Sequence, residues 1–234
     1  MRERKELEGT EGTQGGRGAV IFDMDGVMVD TAEQHYAAWQ RVFAEVGREF
    51  SEAEFRATFG MRNPEILRRF LGDDLSEERI EELGRRKEVY YRDLVREQVR
   101  PAPGLLSLLR ELRAHGFKIA VGTSAPRENI ELVLEALEIS EEMDAVVGGA
   151  DVVQGKPAPD TFLLAARRCG VPPERCLVIE DAPAGLAAAR AAGMRSIGIT
   201  GTKPRQALSE ADLVVDSLTE VGVEVVERLL NLKG

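Results

Sequence analysis

Six short stretches of this chain are apolar almost without interruption, and the segments between them repeat their apolar residues at helical spacing. The six are AVIFDM (19–24), FKIAVGT (117–123), DAVVGG (144–149), CLVIED (176–181), RSIGIT (195–200) and DLVVD (212–216). Continuous apolar runs of this length predict strands of a parallel sheet covered on both faces, since a strand with one wet face would alternate. Helices are predicted over Leu105–His115, Arg127–Leu137, Asp160–Cys169, Ala184–Ala192 and Val221–Leu230. Strand and helix in alternation imply an α/β fold, a Rossmann-like core of three layers.

The interval after the first strand breaks that rhythm. From residue 28 to 98 the pattern is helical throughout. His35, Ala38, Trp39, Val42, Phe43 and Val46 share one stripe of a helix over Ala32–Val46. Ser51 with Glu54 three residues later predicts a capping box. Pro64 suits the first turn of a helix running to Leu71, and Ser76 opens a long charged helix reaching Arg96. RPAPG (100–104) then punctuates the chain. The expected organisation is a catalytic core of residues 18–27 and 99–234, interrupted by an all-helical cap of residues 28–98. An insert at that point lies over the carboxyl ends of the strands, where such sheets bind ligands. Residues 1–17, charged and Gly-rich, read as a disordered leader.

Composition changes the picture by exclusion. The net charge of −10 with dispersed Lys and Arg argues against nucleic acid or an anionic membrane as partner. No apolar run reaches the ~18 residues of a membrane span. The two cysteines, Cys169 and Cys176, form neither a metal-ligand pattern nor a disulfide framework, which fits buried thiols in a reducing cytoplasm. A soluble cytoplasmic protein, monomeric or a weak homo-oligomer, is expected.

The strand ends carry the chemistry. The first strand runs into Asp23 and Asp25, two carboxylates whose mutual repulsion and lost hydration need a compensating charge. The second ends at Thr123 and Ser124, the loop QGKPAPD presents Lys156, and the fourth strand ends at Glu180 and Asp181. Four distant segments thus send acids, hydroxyls and a lysine to one sheet edge. Asp23, Asp181 and Glu180 are hard oxygen ligands suited to Mg²⁺. Thr123 can donate to a phosphoryl oxygen, and Lys156 supplies a positive charge for a phosphoryl group in transfer. Asp23 can act as nucleophile and form an aspartyl phosphate. Asp25, two residues on, can protonate the leaving oxygen and later activate water. Gly26 permits the tight exit of the chain.

DMDGV, GTS, GKPAPDTF and IEDAPAGLAAARAAGM resemble the four motifs of the haloacid dehalogenase superfamily, in its phosphatase and β-phosphoglucomutase-like branch. The resemblance covers residues ~18 to ~230 and implies the same assignments. Asp23 matches the family nucleophile and Asp25 its acid/base, whose backbone carbonyl also ligates Mg²⁺. Thr123 and Lys156 match the phosphate-binding pair, and Glu180 and Asp181 the remaining metal ligands. Asp25 also tells against dehalogenation, since that branch lacks an acid/base there. In the insert, DTAEQHYAAWQ resembles the mutase-like cap. His35, Trp39 and Lys87 match hinge and cap residues on the substrate side. Where the mutases carry an arginine for a distal phosphate this chain has Asn63, with Arg62 one position early. The expected function is a Mg²⁺-dependent phosphatase of small phosphorylated metabolites such as sugar phosphates. A phosphomutase is the first alternative, and a non-catalytic phosphometabolite-binding protein the remote one.

Overall fold

A computed structural model describes residues 17–96 and 98–232 of the chain, so the leader expected over 1–17 lies, apart from Arg17, outside the described residues. In chain order the elements are β1 (Ala19–Phe22), α1 (Ala32–Glu45), α2 (Glu52–Thr58), α3 (Asn63–Leu71), α4 (Glu77–Val95), α5 (Leu105–Ala114), β2 (Lys118–Gly122), α6 (Arg127–Ala136), β3 (Ala145–Val147), α7 (Asp160–Cys169), β4 (Cys176–Glu180), α8 (Pro183–Ala191), β5 (Arg195–Ile199), β6 (Leu213–Val215) and α9 (Val223–Leu229).

The six strands form one parallel sheet in the order β3-β2-β1-β4-β5-β6. β1 is wholly buried, and alternate side chains enter opposite layers, as a strand period of two requires. Val20 and Phe22 pack with Leu108 and Leu112 of α5, Val133 of α6 and Val226 of α9. Ala19 and Ile21 pack with Phe162 and Ala165 of α7 and Ala188 of α8. The apolar runs therefore reflect helices on both faces, and the Rossmann-like α/β core read from them is observed.

β2 and β3 lie on one side of β1, and β4, β5 and β6 follow on the other, so the direction of progression across the sheet reverses at β1. That reversal opens a crevice at the carboxyl ends of β2, β1 and β4, which is where ligands enter such sheets. Register makes the three ends level: Phe22 stands beside Val121 and beside Ile179. The next residues, Asp23, Thr123 and Glu180 with Asp181, consequently share one edge.

Helices α1 to α4 form the cap above that edge. They have their own core, in which Phe43 stacks on Phe50 at 4.5 Å and 7° amid Trp39, Phe55, Leu67 and Leu83. Ser51 caps α2 with the reciprocal Ser51–Glu54 box. Of the charged run in α4, Arg79, Glu82 and Arg86 form surface pairs, but Lys87 and Glu88 are buried, so that run is not a solvated face throughout. The two connections between cap and core touch each other: Val29 bridges to Pro101, and Ala102 N–H donates to Met28 O at 2.8 Å. Short 3₁₀ turns at Ser140–Glu142, Pro173–Arg175, Arg205–Leu208 and Leu218–Glu220 complete the links.

Candidate active site

Lys156 is the centre of the buried charge cluster. Its Nζ donates to Asp23 Oδ1 and to Glu180 Oε1, each at 2.6 Å. Glu180 is pinned again at Oε2, which accepts the N–H groups of Asp181 at 2.8 Å and Ala182 at 2.9 Å. Asp181 Oδ2 accepts the hydroxyl of Thr202. Two glycines make room. A Cβ on Gly26, where φ is +86°, would lie 2.2 Å from Asp181 Oδ2, and one on Gly185 would lie 1.8 Å from Glu180 Oε1. The Lys156–Pro157 peptide is cis.

Asp23, Glu180 and Asp181 each present a carboxylate oxygen, all within 4.8 Å of one another. Three buried carboxylates against one ammonium leave an excess of two negative charges. The protonation equilibria register the imbalance. Burial, opposed by Lys156 and reinforced by the charge of Glu180, pushes Asp23 up to about 7. Burial and the charges of Glu180 and Asp23 hold Asp181 well above the usual carboxylate range. Burial disfavours the Lys156 ammonium, yet Asp23 and Glu180 outweigh it, so the group stays protonated. A divalent cation would balance the excess, and an all-oxygen donor set suits a hard one. The cluster can therefore hold a metal ion.

Asp25 occupies a different environment. Oδ1 accepts the hydroxyls of Thr31 at 2.5 Å and Tyr91 at 3.3 Å. His35 Nε2 stands 3.1 Å from the same oxygen without the alignment of a hydrogen bond. Burial would raise this carboxyl, but His35, Thr31 and Lys87 overcome it and bring it down to about 2. Two acids separated by one residue thus diverge: Asp23 faces Lys156 and other carboxylates, whereas Asp25 faces donors. Such divergence suits two carboxylates to different roles.

The network continues into the cap. His35 stacks on Tyr91 at 3.9 Å, and its Nδ1 lies 2.8 Å from Lys87 Nζ. Lys87 Nζ also donates to Glu88 Oε1 at 2.9 Å and sits 5.5 Å above the Trp39 ring. Glu88 Oε1 accepts Asn63 Nδ2 at 2.7 Å, and Oε2 accepts Asn129 Nδ2 from α6 of the core at 2.6 Å. A pocket of about 60 Å³ separates the two sides. Asp23, Asp25, Thr123 and Ser124 line the core side; His35, Trp39, Asn63, Lys87 and Glu88 line the cap side. The Thr123 hydroxyl accepts the N–H of Ala125 at 3.2 Å.

Of the residues singled out in the sequence, Lys156, Glu180 and Asp181 stand with Asp23 in the charge cluster and not on the pocket lining, and two more are placed elsewhere. Gly26 lines a wider cleft of about 690 Å³ on the hinge side. Arg62 lies outside the small pocket; its Nη1 donates to Val153 O at 3.1 Å and its stem rests against Gly155. The structure adds Thr31, Glu88, Tyr91, Asn129 and Thr202. Tyr91 follows Lys87 by four residues, so helical spacing alone puts it on the same face. Asn129 and Thr202 carried no comparable signal, because their partners Glu88 and Asp181 lie 41 and 21 residues away.

A family model described as a haloacid dehalogenase-like hydrolase matches residues 18–193. β-Phosphoglucomutase of Bacillus subtilis is 33% identical over 216 residues, spanning 89% of this chain and 93% of that protein. Fructose-1-phosphate phosphatase YqaB of Escherichia coli is 36% identical over 181 residues, 77% of this chain and 95% of that one. Among solved structures, CbbY from Rhodobacter sphaeroides in complex with phosphate superposes with a TM-score of 0.80 at 31% identity, covering 88% of this chain and 96% of that one.

Proposed function

Since the chain belongs to the haloacid dehalogenase-like hydrolase family, we propose that it is a Mg²⁺-dependent phosphatase of small phosphorylated metabolites, sugar phosphates foremost. It is proposed to act in the cytoplasm, as a monomer or weak homo-oligomer. The observation that carries the reading is the pairing of Asp23, held by Lys156 in a buried acid cluster, with Asp25, held by donors across the same pocket.

In this reading Asp23 attacks phosphorus and the bond to the ester oxygen breaks, giving an aspartyl phosphate and an alcohol. Lys156 orients Asp23 and offers its charge to the phosphoryl oxygens as they gather negative charge. Thr123 and Ser124 supply hydroxyls at the same edge. Mg²⁺ bound by Asp23, Asp181 and the Asp25 carbonyl would neutralise acids and phosphoryl oxygens together. Both oxygens of Glu180 already have donors, which favours a part played through water. Asp25, ionised beside its donors in the free protein, takes up a proton when the charge of a bound phosphoryl group raises its proton affinity, gives that proton to the leaving oxygen, and then takes one from the water that attacks the aspartyl phosphate. Thr31 and His35 fix its orientation for both steps. The cap closes the pocket during attack and readmits water for hydrolysis.

The mutase reading draws support from the relative in Bacillus subtilis and from the buried His35–Lys87 contact. Against it stand Asn63 and the engagement of Arg62 by the Val153 carbonyl. Phosphate release from p-nitrophenyl phosphate in Mg²⁺, abolished by chelation, tests the phosphatase. Conversion of β-glucose 1-phosphate with a bisphosphate primer into glucose 6-phosphate, without free phosphate, would overturn it in favour of the mutase. Asn63→Arg should shift the partition toward transfer.

A further inference from the structure

Glu88 is a buried charge that the phosphoryl chemistry does not use. It sits in α4 at the far side of the pocket, separated from Asp25 by the chain of contacts His35, Lys87 and Glu88. Burying a carboxylate costs several kcal/mol, on the order of what its partners must return. Three elements converge to do so: Lys87 from its own helix, Asn63 from α3 and Asn129 from the core helix α6. Burial raises its carboxyl, but Lys87, His35 and Asn63 outweigh that and keep it below the ordinary value.

The three donors are distributed unequally. Oε1 accepts two of them and Oε2 one. A carboxylate offers about four lone-pair positions, so one on Oε2 is left for a further donor. A substrate hydroxyl can fill it. A phosphate dianion cannot, being an acceptor itself, and it would face the carboxylate directly. Among the described residues lining this pocket the one lysine is Lys87, already committed to Glu88 and His35, and no arginine lines it. A second phosphate would therefore meet an anion with no cation to receive it. Lys87 holds only Oε1, so the negative charge at Oε2 is met by the neutral Asn129 amide alone.

We infer that Glu88 is a specificity-determining residue: it accepts a hydrogen bond from a hydroxyl of the substrate's uncharged polyol portion and excludes esters bearing a second phosphate. This deepens the phosphatase reading and rests on it. The substrate class becomes the polyol or sugar monophosphate, with bisphosphates discriminated against by like charge.

The test compares kcat/KM for fructose 1-phosphate and fructose 1,6-bisphosphate in Mg²⁺, with p-nitrophenyl phosphate as an independent probe of the chemistry. The monophosphate should be preferred by at least ~10-fold, since like charges brought together in a pocket are strongly disfavoured. In Glu88→Gln that preference should fall by roughly the same ~10-fold factor. The ratio within one variant is insensitive to the fraction folded, and a merely structural role would lower both substrates equally. A parent enzyme that hydrolyses p-nitrophenyl phosphate but favours the bisphosphate overturns the inference and leaves the phosphatase intact. An unchanged ratio in Glu88→Gln overturns it too. If no ester is hydrolysed, the phosphatase reading falls, and calorimetric binding of the same two ligands decides: tighter monophosphate binding supports the inference, equal or reversed affinities overturn it.

Discussion

Adding one methyl group at Gly185 tests whether the charge cluster is as tightly fitted as its geometry says. Alanine in place of glycine within a helix ordinarily stabilises by up to about 1 kcal/mol. Here the new Cβ would lie 1.8 Å from Glu180 Oε1 and 2.0 Å from its Cδ. Glu180 cannot swing aside freely, because Lys156 and two backbone N–H groups hold its carboxylate. Overpacking of this kind costs about 1–3 kcal/mol. Displacing the carboxylate forfeits at least one charged hydrogen bond, worth about 1.5–3 kcal/mol. Set against the helical gain of about 1 kcal/mol, Gly185→Ala should destabilise by about 1.5–5 kcal/mol. It should also weaken Mg²⁺ binding, because Lys156 would be drawn from its present position between Asp23 and Glu180. Gly84→Ala in α4 is the matched control: its Cβ meets Asn63 Cβ at an ordinary 3.4 Å. That variant should gain about 0.5–1 kcal/mol. Equilibrium urea unfolding and Mg²⁺ calorimetry read both effects. A Gly185→Ala protein more stable than its parent, with metal affinity intact, would refute the reasoning.

Three further outcomes are expected. Asp23→Asn should lower phosphatase turnover by at least ~10³-fold, measured by phosphate release, as loss of a nucleophile does. Asp144 accepts Ile119 N–H at 2.9 Å, Arg113 Nη1 at 3.1 Å and Lys118 Nζ at 2.8 Å, and these partners, against burial, hold its carboxyl below the ordinary value. A depressed folded-state value stabilises above the unfolded value and is lost as pH falls. Asp144→Asn should therefore cost about 1–2 kcal/mol at pH 7, and the difference from the parent should shrink below about pH 4; denaturant unfolding across pH 2–8, the bounds of the scan being approximate, reads it. Phe43→Ala should lower stability by about 3–5 kcal/mol in calorimetric unfolding, since it empties the centre of the cap core.

Periodicity made the elements legible because the sheet is buried on both faces and each cap helix has one apolar stripe. Asp160–Cys169 is realised as read, and Arg127–Leu137 ends one residue early at Ala136. The first strand is shorter than read: it stops at Phe22, Asp23 N–H still donates to Ile179 O at 2.9 Å, and Met24 O accepts the N–H groups of Val27, Met28 and Val29 in the turn that follows. The 3₁₀ turns escaped because three or four residues carry no period. Asp23, Lys156, Glu180 and Asp181 were legible as a group since each follows or faces a strand end and the topology brings those ends together. Glu88 was not. Within a run of alternating charges nothing local separates a buried carboxylate from a solvated one, and its partners Asn63 and Asn129 lie 25 and 41 residues away.

The stitched pair of linkers, Val29 against Pro101 and Met28 against Ala102, gives the molecule a division of labour. In the proposed reading, bond making falls to the edge of the sheet and recognition to a cap with an aromatic core of its own, joined to the sheet by these linkers and by contacts across the pocket such as Glu88–Asn129 and Tyr91–Asp25. In that reading, cap residues that touch neither Asp25 nor α6 can be exchanged without disturbing the sheet edge that carries Asp23. An engineer seeking a new substrate would accordingly redesign α3 and α4 and leave the strand ends alone.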